Sequence, residues 1–261
     1  IKKIIKIAKR KKILLIEDCC ESLGAYYKKK HVGNFGIAGS FSHYFSHHIS
    51  TIEGGMVITN DDNLANDLRS TRSHGWVRNR LDQKRIISNN KKMDSNFLFV
   101  TTGFNIRPTD INGAIGLVQL RKLENFLKKR DINMKKISRI IDRSNNLLII
   151  GRDRVPENII RNRKNRSHSW FNVPLVMKTQ DKTKKNKIIK IFKKCRIETR
   201  PIIAGNLLKH PVMKNINYKK SGNFNVANRI FDYGFMIGCS PGLNKQQLNC
   251  LQRAIKLSNK I

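Results

Sequence analysis

The first eighteen residues, IKKIIKIAKRKKILLIED, constrain the fold more than any other stretch. Ile1, Ile4, Ile5 and Ala8 recur at helical spacing, so residues 1–12 read as an amphipathic helix. ILLIED follows at once, and a continuous apolar run of that length reads as a buried strand. A helix feeding directly into a buried strand is the building unit of α/β proteins. The strand ends on Glu17 and Asp18, and the carboxyl ends of strands are where open α/β sheets bind their ligands.

The rest of the chain continues in the same style. HVGNFGIAGSFSHYF is punctuated by glycine and then strand-like, and GGMVITND reads as a strand closed by a turn. DDNLANDLRSTRSHGW opens with an aspartate cap and continues as a helix. Residues 79–96 are polar and read as a loop. A long helical pattern starts at Thr109 or Asp110, with Ile115, Leu117, Val118, Leu120 and Leu123 expected on its buried side. We expect residues 109–150 to bridge a larger domain over 1–108 and a small α+β domain over 151–261. In the latter, HSWFNVPLVM and RIETRPI read as strands, DKTKKNKIIKIFKKC and NKQQLNCLQRAIKLSN as helices. The chain opens on Ile rather than Met, which leads us to expect a piece of a longer protein.

Composition narrows the choice of partner. Lys and Arg number 53 against 18 Asp and Glu, for a net charge of +35. The charge is spread along the chain rather than gathered in a stripe. Lys, Ile and Asn are over-used together, as an AT-rich coding sequence would produce. No basic–aromatic motif stands out, so nucleic acid is not an expected partner, whereas anionic small substrates are. No run of about 18 apolar residues occurs, so no membrane span is expected. The five cysteines form no CxxC and suit a reducing cytoplasm better than a disulfide framework.

Residues 40–60, SFSHYFSHHISTIEGGMVITN, stand apart. They lie in a lysine-free stretch from 31 to 83 yet carry His43, His47 and His48. His43 and His47 at i, i+4 would suit a metal on a helix. Their Ser/Phe/Tyr flanks favour a strand, however, and no HExxH or suitably spaced cysteine accompanies them, so no metal site is expected. Imidazoles here are candidates for proton transfer near neutral pH. Asp18 fits a ligand site, a helix cap or an ion pair equally well. RSHGW, residues 72–76, has the polar, aromatic texture of a substrate loop.

The order of motifs goes further. IEDCCESLGA, VGNFG, FSHYFSHHISTIEGG, LRSTRSHGW, GFNIRPTDINGAIGLVQL and IETRPIIAGN together resemble the DegT/DnrJ/StrS family of sugar aminotransferases and dehydratases, from about Ile13 to Leu257. The resemblance implies a fold-type I, aminotransferase-like α/β fold. The chain would hold the remainder of the large mixed-sheet domain plus the small α+β C-terminal domain. It also implies pyridoxal 5′-phosphate or pyridoxamine 5′-phosphate as cofactor. In the family roughly 130–150 residues precede this point, more than the ~100-residue scale of a small domain. They carry a turn for the cofactor phosphate and an aromatic that stacks on the ring.

In the family's aminotransferases, Phe-Ser is followed after four residues by the lysine that bonds to pyridoxal phosphate, ahead of Glu-Gly-Gly. Here His47 holds that place. A histidine cannot form that bond but can exchange protons. The swap resembles the C-3 dehydratases of dideoxysugar and O-antigen synthesis, which act on a nucleotide-linked 4-keto-6-deoxyhexose. One type of these uses an iron–sulfur cluster, but NFLFVTTGFN lacks the cysteines it needs. The resemblance is to the cluster-free GDP-4-keto-6-deoxymannose 3-dehydratases, which regenerate pyridoxamine phosphate from L-glutamate.

By the same resemblance, Asp18 pairs with the pyridine nitrogen, Glu21 sits by the ring's 3-hydroxyl and Ser42 binds the phosphate. Asn105 reaches a neighbour's phosphate, which implies a homodimer with shared sites. His74 and Arg78 serve substrate or glutamate, and His47 is the catalytic base. A plain nucleotide-sugar aminotransferase and an inactive truncated relative are the alternatives.

Overall fold

The computed structural model describes residues 1–158, 160 and 162–261. The chain divides into two compact units, residues 1–123 with 164–166, and residues 124–163 with 167–261. The division falls inside the long helix, between Leu123 and Glu124.

The first unit opens with α1 (Lys2–Lys11) and β1 (Ile16–Asp18), then a short hairpin of β2 (Tyr26–Tyr27) and β3 (Lys30–His31), β4 (Ala38–Ser42) and β5 (Gly55–Ile58). β4 lies at the centre of a three-stranded sheet in the order β1-β4-β5, parallel to β1 and antiparallel to β5. Ile16 pairs with Ala38 and Asp18 with Ser40, which sets which residues share a face. Side chains alternate along a strand. Phe41 therefore turns into a small core with Cys19, Leu23 and Ile49, while Ser40 and Ser42 stay half-buried on the other face.

Two features hold β1 in place. The Glu17 carboxylate accepts the backbone N–H groups of Gly33, Phe35 and Gly36. Gly36 also passes so close to β1 that a Cβ there would lie 2.0 Å from the Leu15 carbonyl oxygen. Gly36 of VGNFG is thus needed for close backbone approach.

Helix α2 (Asp62–Thr71) starts where Asp61 caps it, its carboxylate accepting the Leu64 N–H at 2.9 Å. The stretch read as a loop over 79–96 contains α3 (Gln83–Asn89) and a 3-10 turn over Ser95–Phe97. Ion pairs anchor the segment just before α3: Arg80 joins Asp67 of α2 and Asp82, each at 2.8 Å. Helix α4 (Asp110–Ile141) begins where expected. Its expected buried side does not hold in the first half. Leu117, Val118 and Leu120 are exposed, and burial becomes continuous only from Leu127 onward. Leu123 alone of that set packs against the Phe41 core.

The second unit is built on β6 (Leu147–Ile149), β7 (Asn172–Met177), β8 (Thr199–Arg200) and β9 (Gly234–Gly238), with α5 (Lys182–Lys194), α6 (Asn225–Tyr233) and α7 (Lys245–Ser258). The sheet order is β6-β7-β9-β8, antiparallel throughout. HSWFNVPLVM pairs only from Asn172, and RIETRPI only at Thr199–Arg200. Asp181 caps α5, and Asn244 with Gln247 forms a reciprocal capping box on α7. Met134, Ile137, Leu175, Met177, Ile188, Phe192 and Ala254 form the centre of the core. Buried Arg130 ties α4 to this unit by donating to the carbonyls of Trp170, Phe171 and Cys239.

Candidate active site

All seven residues singled out from the sequence lie in the first unit. They fall into two groups.

The first group surrounds the end of β1. Asp18 is the last ladder residue, and its Oδ1 accepts the Cys20 N–H at 3.1 Å. The Cys20 thiol and N–H, followed by smaller effects from Ser40 and the His47 charge, hold the Asp18 carboxyl below its ordinary range, against a modest desolvation effect. Glu21, one short turn further, is pushed up by desolvation, with His47 opposing and Asp18 adding to the rise. Both carboxylates thus feel His47. Ser42 lies two residues beyond Ser40 on the same face of β4, and its Oγ accepts the Tyr44 N–H at 3.2 Å.

The strand ends at Ser42, so His43 and His47 fall in a loop and not on the strand expected for them. The loop is closed by its ends: the His43 N–H donates to the Gly54 carbonyl at 2.9 Å, and the Thr51 N–H donates to the His43 carbonyl at 2.8 Å. Gly54 is required there, because a Cβ would meet Thr51 Oγ1 at 2.5 Å. Half-buried His47 lies near the loop's middle, its N–H donating to the Tyr44 carbonyl and its Nδ1 lying 2.9 Å from the Cys20 carbonyl oxygen. A carbonyl only accepts, so Nδ1 carries the proton and the lone pair of the neutral ring sits on Nε2. Burial, then the His47 charge, pushes the His43 imidazole down.

Two contributors escaped the sequence reading. Asn112, in the first turn of α4, donates through Nδ2 to the carbonyls of Thr51 and Glu53 while its Oδ1 accepts from Thr109. It thereby ties the histidine loop to the helix. Cys20 acts through its backbone, on which side-chain chemistry gives no signal. The neighbouring Cys19 thiol is pushed up to about 11, chiefly by burial, so it stays protonated at neutral pH.

The second group gathers His74, Arg78 and Asn105. Ser73 pairs with Asn105 and Trp76 with Phe99 as isolated bridges, and the His74 N–H donates to the Phe104 carbonyl at 2.8 Å. The Trp76 ring is the hub: the Arg78 guanidinium lies 4.0 Å from its centre, the His74 ring 4.7 Å and the Arg107 guanidinium 5.5 Å. Arg78 Nε also donates to the Asn96 carbonyl at 2.7 Å. Stacked guanidinium groups keep donor edges for an anion. Among the described residues no group of three His, Cys, Asp or Glu is placed to hold a metal, and no helix is long and apolar enough to cross a membrane.

Comparison with known proteins agrees with the sequence motifs. The chain is 36% identical to a GDP-4-keto-6-deoxy-D-mannose 3-dehydratase of Yersinia pseudotuberculosis over 90% of its own length and 58% of that protein. It is 32% identical to the Escherichia coli O55:H7 protein of the same name, again over 58% of it. The chain thus spans somewhat over half the length of the curated relatives it matches. Among solved structures, the E. coli dehydratase with bound hydrated PLP superposes with a TM-score of 0.83 at 30% identity, covering 97% of this chain and 63% of that one. A histidine-to-asparagine variant of a GDP-4-keto-6-deoxymannose 3-dehydratase with bound GDP-perosamine gives 0.84 at 30%. The fold is the aminotransferase fold of these structures, and the more distant Helicobacter pylori aminotransferase PseC shares it at 21% identity and a TM-score of 0.80. With a family model matched across residues 1–256, the chain belongs to the DegT/DnrJ/EryC1/StrS aminotransferase family.

Proposed function

We propose that this chain carries the proton-transfer side of a pyridoxamine/pyridoxal phosphate-dependent 3-dehydratase acting on a nucleotide-linked 4-keto-6-deoxyhexose, GDP-4-keto-6-deoxymannose in the first instance. The observation that carries the reading is His47. By the motif resemblance it stands at the family's lysine position, its Nδ1 proton is engaged by the Cys20 carbonyl, and once protonated it would act on Asp18 and Glu21.

The donor set suits such a cofactor. Asp18, kept ionised by its Cys20 donors, would hold a protonated pyridine nitrogen. Glu21 would sit by the ring hydroxyl, Ser42 would hold the phosphate, and Asn105 would reach the phosphate of a second copy's site. When bound, the cofactor supplies an electron sink. His47 moves the proton at Nε2: it takes one up as base, then returns it to the C-3 hydroxyl, which leaves as water. His74 and Arg78 offer positive or donor groups to the anionic substrate or to L-glutamate. Glutamate as amino donor is supported by a related dehydratase solved with a trapped PLP-glutamate geminal diamine. Without a lysine at position 47, nothing there competes for the cofactor's reactive carbon, and elimination is favoured over amination.

The test is product analysis with GDP-4-keto-6-deoxymannose, pyridoxamine phosphate and glutamate. The expected product is the 3-deoxy-4-keto sugar. His47→Lys should lower dehydration by roughly 10²–10⁴-fold, the usual cost of losing a positioned acid–base group, and yield 4-amino sugar. Equal dehydration by parent and variant would sink the reading.

A further inference from the structure

Asp18 and His47 are joined through one residue. Asp18 Oδ1 accepts the Cys20 N–H at 3.1 Å, and the Cys20 carbonyl accepts the His47 Nδ1–H at 2.9 Å. We propose that Asp18 is the positioning residue for His47, setting its tautomer through the backbone of Cys20, in addition to any contact Asp18 makes with a cofactor.

The turn after β1 explains why Cys20 transmits this. The parallel ladder extends one step past Asp18, where the Cys19 N–H donates to the Ser40 carbonyl at 2.9 Å. The Ser22 N–H then donates to the Cys19 carbonyl at 2.9 Å. The Cys20 N–H points away from β4, and the Asp18 carboxylate receives it. An aspartate accepting the N–H two residues on forms a side-chain turn that fixes the intervening backbone. With the Cys20 N–H fixed on one side and the turn closed on the other, the Cys20 carbonyl has one direction, toward His47. That carbonyl has no proton to give, so the imidazole presents Nδ1–H and keeps its basic pair on Nε2. The hydrogen-bonding oxygen, not the charge, does the orienting. Asparagine at position 18 keeps a side-chain carbonyl at the same reach and loses only the charge.

The value of a basic Nε2 rests on the proposed dehydratase reading, but the tautomer is measurable without activity. The experiment is ¹⁵N-histidine NMR of the full chain above the imidazole titration, with the His47 signals assigned by their loss in His47→Gln. In the parent, His47 should show a protonated, pyrrole-type Nδ1 and a pyridine-type Nε2. Asp18→Asn should keep that pattern. Asp18→Ala should shift it toward Nε2–H or an averaged ring. No change in Asp18→Ala overturns the proposal, and so does an equal shift in both variants, which would assign the effect to charge. Should Asp18→Ala not fold, Asp18→Leu, similar in size but without an acceptor, replaces it under the same criteria. A dominant Nε2–H form in the parent overturns the proposal whatever the variants do. Absence of dehydration in the parent, with this tautomer in place, would instead count against the dehydratase reading alone.

Discussion

The His47 imidazole and the Cys20 carbonyl, 27 residues apart in the chain, meet at 2.9 Å. The contact exists because a parallel β1–β4 pair brings the turn after Asp18 alongside the loop after Ser42. A sheet edge and a closed loop thus converge on one proton-carrying ring, with two carboxylates in its field. Each of the following outcomes tests a part of that arrangement.

Asp18 gives the site a defined acid limit. Its folded-state carboxyl lies below the ordinary value of about 3.9 because Cys20 donates to it. A lowered folded-state value contributes stability that is fully present above the unfolded value and is lost as pH falls through the folded one. The parent should therefore exceed Asp18→Asn in stability by a constant amount above about pH 4, and the gap should close below it. Urea midpoints across pH 3 to 7 measure this. A gap that widens on acidification contradicts the assignment.

Asn112 should be a stability determinant of the histidine loop. Its amide donates to two carbonyls and accepts from Thr109, so its orientation is fixed by its partners. Asn112→Ala should cost about 1–3 kcal/mol, the usual range for unmaking such bonds. Asn112→Asp should cost at least as much, because a carboxylate would face the Thr51 and Glu53 carbonyls with no proton to offer. Hydrogen exchange should rise across residues 43–54 in both. Unchanged exchange in that segment would show that the helix does not hold the loop.

Glu17 makes a similar case on the opposite face of β1. Three backbone N–H groups converge on its carboxylate. Glu17→Ala leaves them without that acceptor and should destabilise the unit by about 2–4 kcal/mol. Glu17→Gln, which keeps one acceptor oxygen, should lose less. Denaturant titration of the two variants gives the order, and the reverse order would refute the account.

These cases mark what was legible in advance. The α/β class, the Asp61 cap, the start of α4 and the β4–β5 pair follow from local pattern and from residues whose side chains announce their role. His47 was singled out by the motif resemblance, which puts a lysine at its place, and its role is the proposal made above. What escaped the sequence is of two kinds. Cys20 and the Thr51 and Glu53 carbonyls act through main-chain atoms, which every residue carries. Arg80 joins the start of residues 79–96 to α2 through Asp67, a pairing that depends on tertiary placement. Leu117 and Leu120 were misjudged because apolar periodicity reports that a face will be covered, without saying whether this chain's own residues cover it.

That last point leads to a prediction about assembly. On α4, Leu117 and Leu120, three residues apart on one face, are 62% and 56% exposed, and Asn105 lies just before that helix. Each such side chain gains about 1.5–3 kcal/mol when covered, so an uncovered pair favours association. We expect a homodimer in which Asn105 of one copy serves the site of the other. Sedimentation should show a dimer, and Leu117→Glu with Leu120→Glu should shift it toward monomer. Mixing makes the shared site testable. His47→Asn and Asn105→Ala are each expected to be weak in 3-dehydration. Re-associated together, half the dimers are mixed, and each mixed dimer holds one site with both parental residues. Activity should return to about a quarter of the parental level for a two-fold assembly with sites shared across the interface. If Asn105 serves its own copy's site, every site in the mixture keeps one defect, and no activity returns.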